Sequence, residues 1–199
     1  MENRPNMVSK DIVPQHKTFD FGAVAFSSLF DSGNLAKVEK VSERKYNLWT
    51  APDCSGTTLE TKNRSWFYFH VSTMPHVEIT FTLKNLNLLG KLYREGLRPF
   101  YRNDENENWY RTNGPCNWTV TGDVASQFEV TFTHEFSSGS VYFAFCFPWS
   151  YREHQNLLDE LESTYHGHLD VYFHRENLIY SCEDRRLDVV TISARNRML

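Results

Sequence analysis

The sequence predicts a mainly-β protein: an antiparallel β-sandwich, then one connecting helix, then a β-hairpin that reads as the opening of an α/β domain. Three observations carry this. Apolar and polar residues alternate with period two through most of residues 19–147. The period becomes helical just after Trp149. Residues 170–180 and 186–193 are runs rich in β-branched and aromatic side chains, separated by the polar turn Ser181-Cys182-Glu183-Asp184-Arg185.

Each element follows from a local pattern. Val77, Ile79, Phe81 and Leu83 alternate with Glu78, Thr80, Thr82 and Lys84, so one face of this strand is buried and the other wet. Phe128, Val130 and Phe132 alternate in the same way with Glu129, Thr131 and Thr133. Residues 66–71 (WFYFHV) and 141–147 (VYFAFCF) are apolar or aromatic at nearly every position, which predicts central strands covered on both faces, with Phe69 and Phe145 as core anchors. Shorter runs at 22–28, 34–41, 46–50 and 118–121 bring the strands to about eight, within the range of a sandwich. Residues 92–99 read as a structured turn and 102–108 as a charged loop. Ser150 with Glu153 three residues on forms a capping box, and Leu157, Leu158 and Leu161 supply one apolar stripe, predicting a helix from 151 to about 163. His166-Gly167-His168 ends it. The expected organisation is a flexible N-terminus (1–18), a sandwich domain (19–149), a linker helix (150–165) and the start of a truncated second domain (166–199).

Composition narrows the function classes. With 40% apolar and 15% aromatic residues among 199, the chain has the makings of a folded core rather than a disordered segment. The longest apolar stretch is far short of the roughly 20 residues a membrane helix needs, so no membrane partner is expected. A net charge of −4 with interspersed signs gives no reason to expect nucleic acid. The first residues have no apolar core of the secretory kind, so the cytoplasm is the expected compartment, with the nucleus as the other reducing one. The sequons at Asn63 and Asn117 are then idle, and Cys54, Cys116, Cys146 and Cys182, with no Cys-x-x-Cys pair, are expected reduced and mostly buried in strands.

Motifs that carry chemistry are wanting. None of the 8 histidines begins a His-x-x-Glu or His-Glu-x-x-His motif; His134-Glu135 runs on within a strand. His166, His168 and His174 are the remaining candidate metal set, but histidines at such a boundary are usually solvated, and no metal ligand is assigned. There is no Gly-x-Ser-x-Gly elbow and no phosphate-cradling glycine loop, so no catalytic or cofactor-binding residue is assigned either. Trp66, Tyr68 and Tyr142 could form a stacking platform for sugars or bases, with core packing the stronger expectation. Arg98 suits a bidentate carboxylate, with an internal salt bridge as the commoner fate.

Longer strings are more specific. Phe26-Ser27-Ser28-Leu29-Phe30-Asp31-Ser32-Gly33-Asn34-Leu35-Ala36, Val38 to Val41, Trp49 with Pro52-Asp53-Cys54, Asn63 to Phe69, Lys91-Leu92-Tyr93, Gly96, Pro99-Phe100 and Phe143 to Pro148 with Ser150-Tyr151 occur in the order in which they stand in the cytosolic carboxypeptidases. The chain resembles the N-terminal domain of that family over most of residues 22–193. The resemblance implies a β-sandwich preceding a zinc carboxypeptidase domain of the M14 type, with Tyr172 to Glu176 and Arg186 to Ile192 as that domain's first strands. It implies enzymes that shorten glutamate side chains on tubulin, including the branch-point glutamate, with zinc as the full enzyme's cofactor. Tubulin or microtubules and the family's own catalytic domain are the implied partners. The family's zinc ligands, substrate arginine and catalytic glutamate match nothing in this sequence. The chain is therefore expected to be inactive by itself, as a folding, regulatory or substrate-docking part; a free-standing sandwich that binds a protein or glycan is the alternative. Under the first reading Val171, Phe173, Leu178, Leu187, Val189 and Ile192 should be partly bare.

Overall fold

The computed structural model describes residues 17–87, 89–105, 108–120, 128–181 and 184–195. Almost all of the expected flexible N-terminus, and Cys182, lie outside the described residues. The chain forms two compact units that divide after Pro148.

The first unit is a sandwich of a six-stranded and a five-stranded sheet. Its strands are β1 (Thr18–Asp20), β2 (Val24–Ser27), β3 (Lys37–Ser42), β4 (Lys45–Trp49), β5 (Tyr68–Thr73), β6 (Val77–Leu86), β7 (Phe100–Asn103), β8 (Tyr110–Arg111), β9 (Cys116–Val120), β10 (Phe128–Phe136) and β11 (Ser140–Ala144), with a short helix α1 (Gly90–Arg94) before β7. The six-stranded sheet runs β1-β2-β5-β11-β7-β8 and the five-stranded sheet β3-β4-β6-β10-β9. Pairing is antiparallel except between β4 and β6. The chain leaves the five-stranded sheet after β4, lays β5 into the other sheet and returns as β6, so β4 and β6 run the same way. The two apolar runs do sit at the centre of the six-stranded sheet, as β5 and β11.

The alternation of β6 and β10 resolves as expected: Ile79, Phe81, Leu83, Val130 and Phe132 are buried, while Thr80 meets Thr133 and Thr82 meets Thr131 across the wet face. Between them a bulge sets Lys84 and Asn85 against Glu129 alone. Asn85 takes φ 58°, a left-handed conformation that asparagine tolerates better than most residues. Phe81 is the hub of the core, with ring centroids 5.3 Å from both Phe132 and Phe143 and 6.1 Å from Phe69. Such tilted and edge-on pairs add to what burial alone contributes.

Asn34 joins the two sheets. Its backbone pairs with Tyr68 of the six-stranded sheet, and two residues on Ala36 donates to the Trp49 carbonyl of the five-stranded one. Its buried side chain accepts from Ala51 N at 2.9 Å and donates to the carbonyls of Ala51 and Trp66 at 3.0 and 3.1 Å. The preceding Gly33 has no room for a side chain, since a Cβ there would lie 2.3 Å from the Ser28 carbonyl oxygen.

Several expectations need correction. β11 ends at Ala144, so residues 145–147 are not a strand: Phe145 is only half-buried, and Cys146 and Phe147 are exposed. Arg102 and Asn103 are strand residues of β7 paired with Tyr142 and Val141, not part of a charged loop. Polar side chains on an outer sheet face hid that strand from a reading based on composition. Cys54 lies in an exposed turn at φ 56°. Of the described cysteines only Cys116 is in a strand, half-buried, where burial pushes its thiol pKa up.

The second unit contains α2 (Tyr151–Tyr165), β12 (Val171–Tyr180) and β13 (Arg186–Ala194). The capping box forms: Ser150 Oγ accepts from Glu153 N at 3.2 Å, and the Glu153 carboxylate accepts from Ser150 N at 2.7 Å. Leu158 is the buried member of the leucine stripe. Helix and hairpin are held by Arg175 of β12, whose side chain is 3% exposed. It pairs with Asp188 of β13 at 2.8 Å and Asp159 of α2 at 2.5 Å, and donates to Gln155. Burial opposes the charge on Asp188, but the hydrogen bonds and charge of Arg175, with Arg186 beside it, outweigh that and hold its carboxyl below the usual range. Of the six apolar residues expected to be bare, Leu178, Leu187 and Ile192 are exposed and Val171, Phe173 and Val189 half-buried.

Candidate functional site

One group of polar and aromatic side chains gathers on the outer face of the six-stranded sheet. The strand pleat puts Tyr68 and His70 of β5, Ser140 and Tyr142 of β11 and Arg102 of β7 on that face, while Phe69, Val71, Val141 and Phe143 point to the core. Asp104 follows β7 directly.

Trp66, Tyr68 and Tyr142 therefore lie outside the inter-sheet core, yet they are no open platform. Phe30 packs edge-on to Tyr68 at 4.6 Å and to Tyr142 at 5.3 Å, and Trp109 and Trp66 stand edge-on to Tyr68 at 5.7 and 6.1 Å. The rings cover one another's faces, whereas stacking a base or sugar requires a free π-face. Arg102 completes the cluster, its guanidinium 4.9 Å from the Tyr142 ring and 5.5 Å from Trp109. This is a second, small core. It fastens the 28–33 loop, tied also by Trp66 Nε1 donating to the Ser32 carbonyl at 2.7 Å, to the sheet.

His70, Ser140 and Asp104 form a constellation that sequence reasoning missed, because 70 residues separate the first two. His70 Nε2 lies 2.5 Å from Ser140 Oγ and 3.5 Å from the Asp104 carboxylate, and Ser140 Oγ donates to that same carboxylate. The residue types are those of a nucleophilic triad, but the connectivity is not. In a triad the imidazole stands between serine and carboxylate and takes the serine proton. Here the serine stands in the middle with its one proton on Asp104, which leaves His70 to donate to it. Burial lowers the His70 pKa, with Asp104 only partly offsetting this, so the ring is neutral and suited to donating. The arrangement pins Asp104, and with it the chain leaving β7, to the sheet.

The other candidates are likewise occupied. Arg98 Nη1 donates to the carbonyls of Thr112, Asn113 and Gly114 at 3.4, 3.1 and 2.8 Å, tying the turn after β8 instead of presenting a fork to a carboxylate. His168 Nδ1 accepts from the backbone N–H groups of Asp170 and Val171, His174 stacks on Tyr172 and faces Glu176 at 3.9 Å, and His166 follows the last turn of α2. Among the described residues no three His, Cys, Asp or Glu side chains converge as a metal site would require. These residues do not fit a zinc ion.

His134 of β10 sits between the sheets, its ring 4.6 Å from Tyr101, 5.0 Å from Phe143 and 5.1 Å from Phe136. Burial lowers its pKa to about 4 from the ordinary 6.5. The neutral ring is the form that fits, and protons bind the unfolded chain first. His134 therefore contributes its full share of stability above pH 6.5 and loses it as pH falls from 6.5 toward 4, by about 3 kcal/mol in all. Denaturant unfolding as a function of pH checks this: His134→Leu should flatten the slope in that window, and an unchanged slope would assign the acid sensitivity to other groups.

Residues 26–146 match the family profile described as the cytosolic carboxypeptidase N-terminal domain. The chain belongs to that family. It is 37% identical over 210 aligned positions to cytosolic carboxypeptidase-like protein 5 of Homo sapiens, a match that takes in 87% of this chain and 23% of that protein. To cytosolic carboxypeptidase 6 of Mus musculus it is 32% identical, over 87% of this chain and 31% of the relative. The chain thus spans between a fifth and a third of these relatives' length. Among solved structures, the putative carboxypeptidase of Burkholderia mallei superimposes with a TM-score of 0.64 at 18% identity, covering 87% of this chain and 40% of that one. A metallo-carboxypeptidase of Pseudomonas aeruginosa, solved in complex with (2-guanidinoethylmercapto)succinic acid, does so at 0.57 and 26%, covering 83% and 39%. Among the described residues no helix is long and apolar enough to cross a membrane.

Proposed function

We propose that this chain is the N-terminal part of a cytoplasmic zinc carboxypeptidase that removes glutamates, including the branch-point glutamate, from polyglutamylated tubulin, and that its own role is structural or substrate-docking. The observation that carries the reading is the family match over residues 26–146, which lies within the sandwich. Two features support a non-catalytic role. The polar groups of the sandwich that resemble catalytic ones are used to pin loops, as at His70-Ser140-Asp104 and Arg98. In the second unit His168 accepts from two backbone N–H groups and His174 stacks on Tyr172.

When bound in the complete enzyme, zinc would activate a water and polarise the scissile carbonyl. No step of that chemistry is assigned to residues of this chain. The expected result is that the purified chain holds no stoichiometric zinc by metal analysis and releases no glutamate from polyglutamylated tubulin peptides, under conditions in which a full-length family member does both. About one tightly held zinc per chain together with glutamate release would overturn the non-catalytic role. A chimera with this chain in place of the matching segment of the human relative tests the family function: retained deglutamylation supports it, and a folded but inactive chimera counts against it.

A further inference from the structure

We propose that β9 is a pairing edge through which a second copy of this chain extends the five-stranded sheet, the two β9 strands running antiparallel about a two-fold axis. β9 ends that sheet, paired on one side to β10 in an unbroken register from Phe128–Val120 to Phe132–Cys116. Among the described residues nothing bonds its other side, so alternate backbone N–H and C=O groups of this strand face outward without a partner.

Exposed edges are normally blunted, and the other three of this sandwich are. β1 has three residues and β8 two, too few to template a partner. β3 carries Lys37, Glu39 and Lys40 and is kinked by a register shift between Lys40 and Ser42. β9 has none of these devices. Its five residues, Cys116-Asn117-Trp118-Thr119-Val120, include no charge and no proline, and three of them are exposed.

The same sequence favours a copy of itself as the occupant. A two-fold axis centred on Trp118 sets Cys116 opposite the second copy's Val120 and Asn117 opposite its Thr119. The inner, apolar side then meets apolar and the outer, polar side meets polar. Within the strand pair no like charges face each other, which is the usual obstacle to an isologous pairing; the one cation of each copy seen at the axis among the described residues is Arg94, whose guanidinium lies 6.0 Å from the Trp118 ring. A net charge of −4 per chain adds little long-range repulsion at physiological salt.

Sedimentation equilibrium of the full chain tests this. The expected result is a reversible rise with concentration from 23.4 kDa toward twice that mass. Asn117→Lys/Thr119→Lys, which changes two exposed side chains and places lysine opposite lysine across the axis, should return the mass to that of the monomer with its thermal unfolding otherwise unchanged. Amide exchange at residues 116–120 should slow as the chain associates and stay fast in the double variant. A chain that remains monomeric at its highest soluble concentration overturns the proposal. So does a dimer that survives the double lysine variant but is lost in Leu187→Lys, since that locates the contact on the hairpin of the second unit.

Discussion

Phe69→Ala is expected to destabilise the sandwich by about 3–5 kcal/mol, a large part of the stability of a typical domain. The ring is fully buried, and it touches Phe26, Phe67, Phe81 and Phe143, so it bridges both sheets. Truncation leaves a cavity walled by other rigid rings, which cannot close in to fill it. Thermal or denaturant unfolding reads the loss, and a near-wild-type midpoint would mean that this strand is not the centre of the six-stranded sheet. Phe145, which the uninterrupted apolar run also marks as an anchor, is half-buried beyond the end of β11, and its truncation should cost clearly less.

Asn34→Ala is expected to cost about 3 kcal/mol or more, through a different mechanism. The substitution removes no large apolar surface. It strands the Ala51 N–H and leaves the Ala51 and Trp66 carbonyls short of a donor in a site where Asn34 is 6% exposed. Each buried group left unsatisfied costs roughly 1–3 kcal/mol. Asn34→Asp separates the contributions: it retains the acceptor for Ala51 N but loses both donated bonds and buries a charge, so it should be no better than alanine at neutral pH. Unfolding midpoints for the two variants provide the check, and an Asn34→Ala loss below about 1 kcal/mol would show that water replaces the side chain.

Much of this fold is legible in the sequence because strand alternation is a local signal. Ile79 to Leu83 and Phe128 to Phe132 declare their buried faces without reference to any partner, and Ser150 with Glu153 declares the helix start within four residues. What the sequence does not show is what depends on the partner strand. β7 was hidden because Arg102 faces an aromatic cluster built from four other segments, and nothing in Tyr101-Arg102-Asn103 announces that. The parallel pairing of β4 with β6 follows from a crossover through the opposite sheet, which no periodicity encodes. The His70-Ser140-Asp104 cluster is invisible for the same reason. The Gly33-Asn34 string, by contrast, stood out as a family signature, and its physical content emerged only when the side chain was seen holding two other segments.

The position of β11 bears on how the protein comes to exist. It is the last strand of the sandwich in the chain, yet it lies in the interior of its sheet, between β5 and β7. Until it leaves the ribosome, directly behind β10, nothing joins the β1-β2-β5 part of the sheet to the β7-β8 part, and Phe69 and Phe81 lack the Phe143 ring that packs on both. Pairing between segments this far apart in sequence is slow to nucleate and leaves apolar strands open meanwhile. The nascent domain should therefore stay a client of chaperones until its final strand has cleared the exit tunnel, and then close as a single cooperative step.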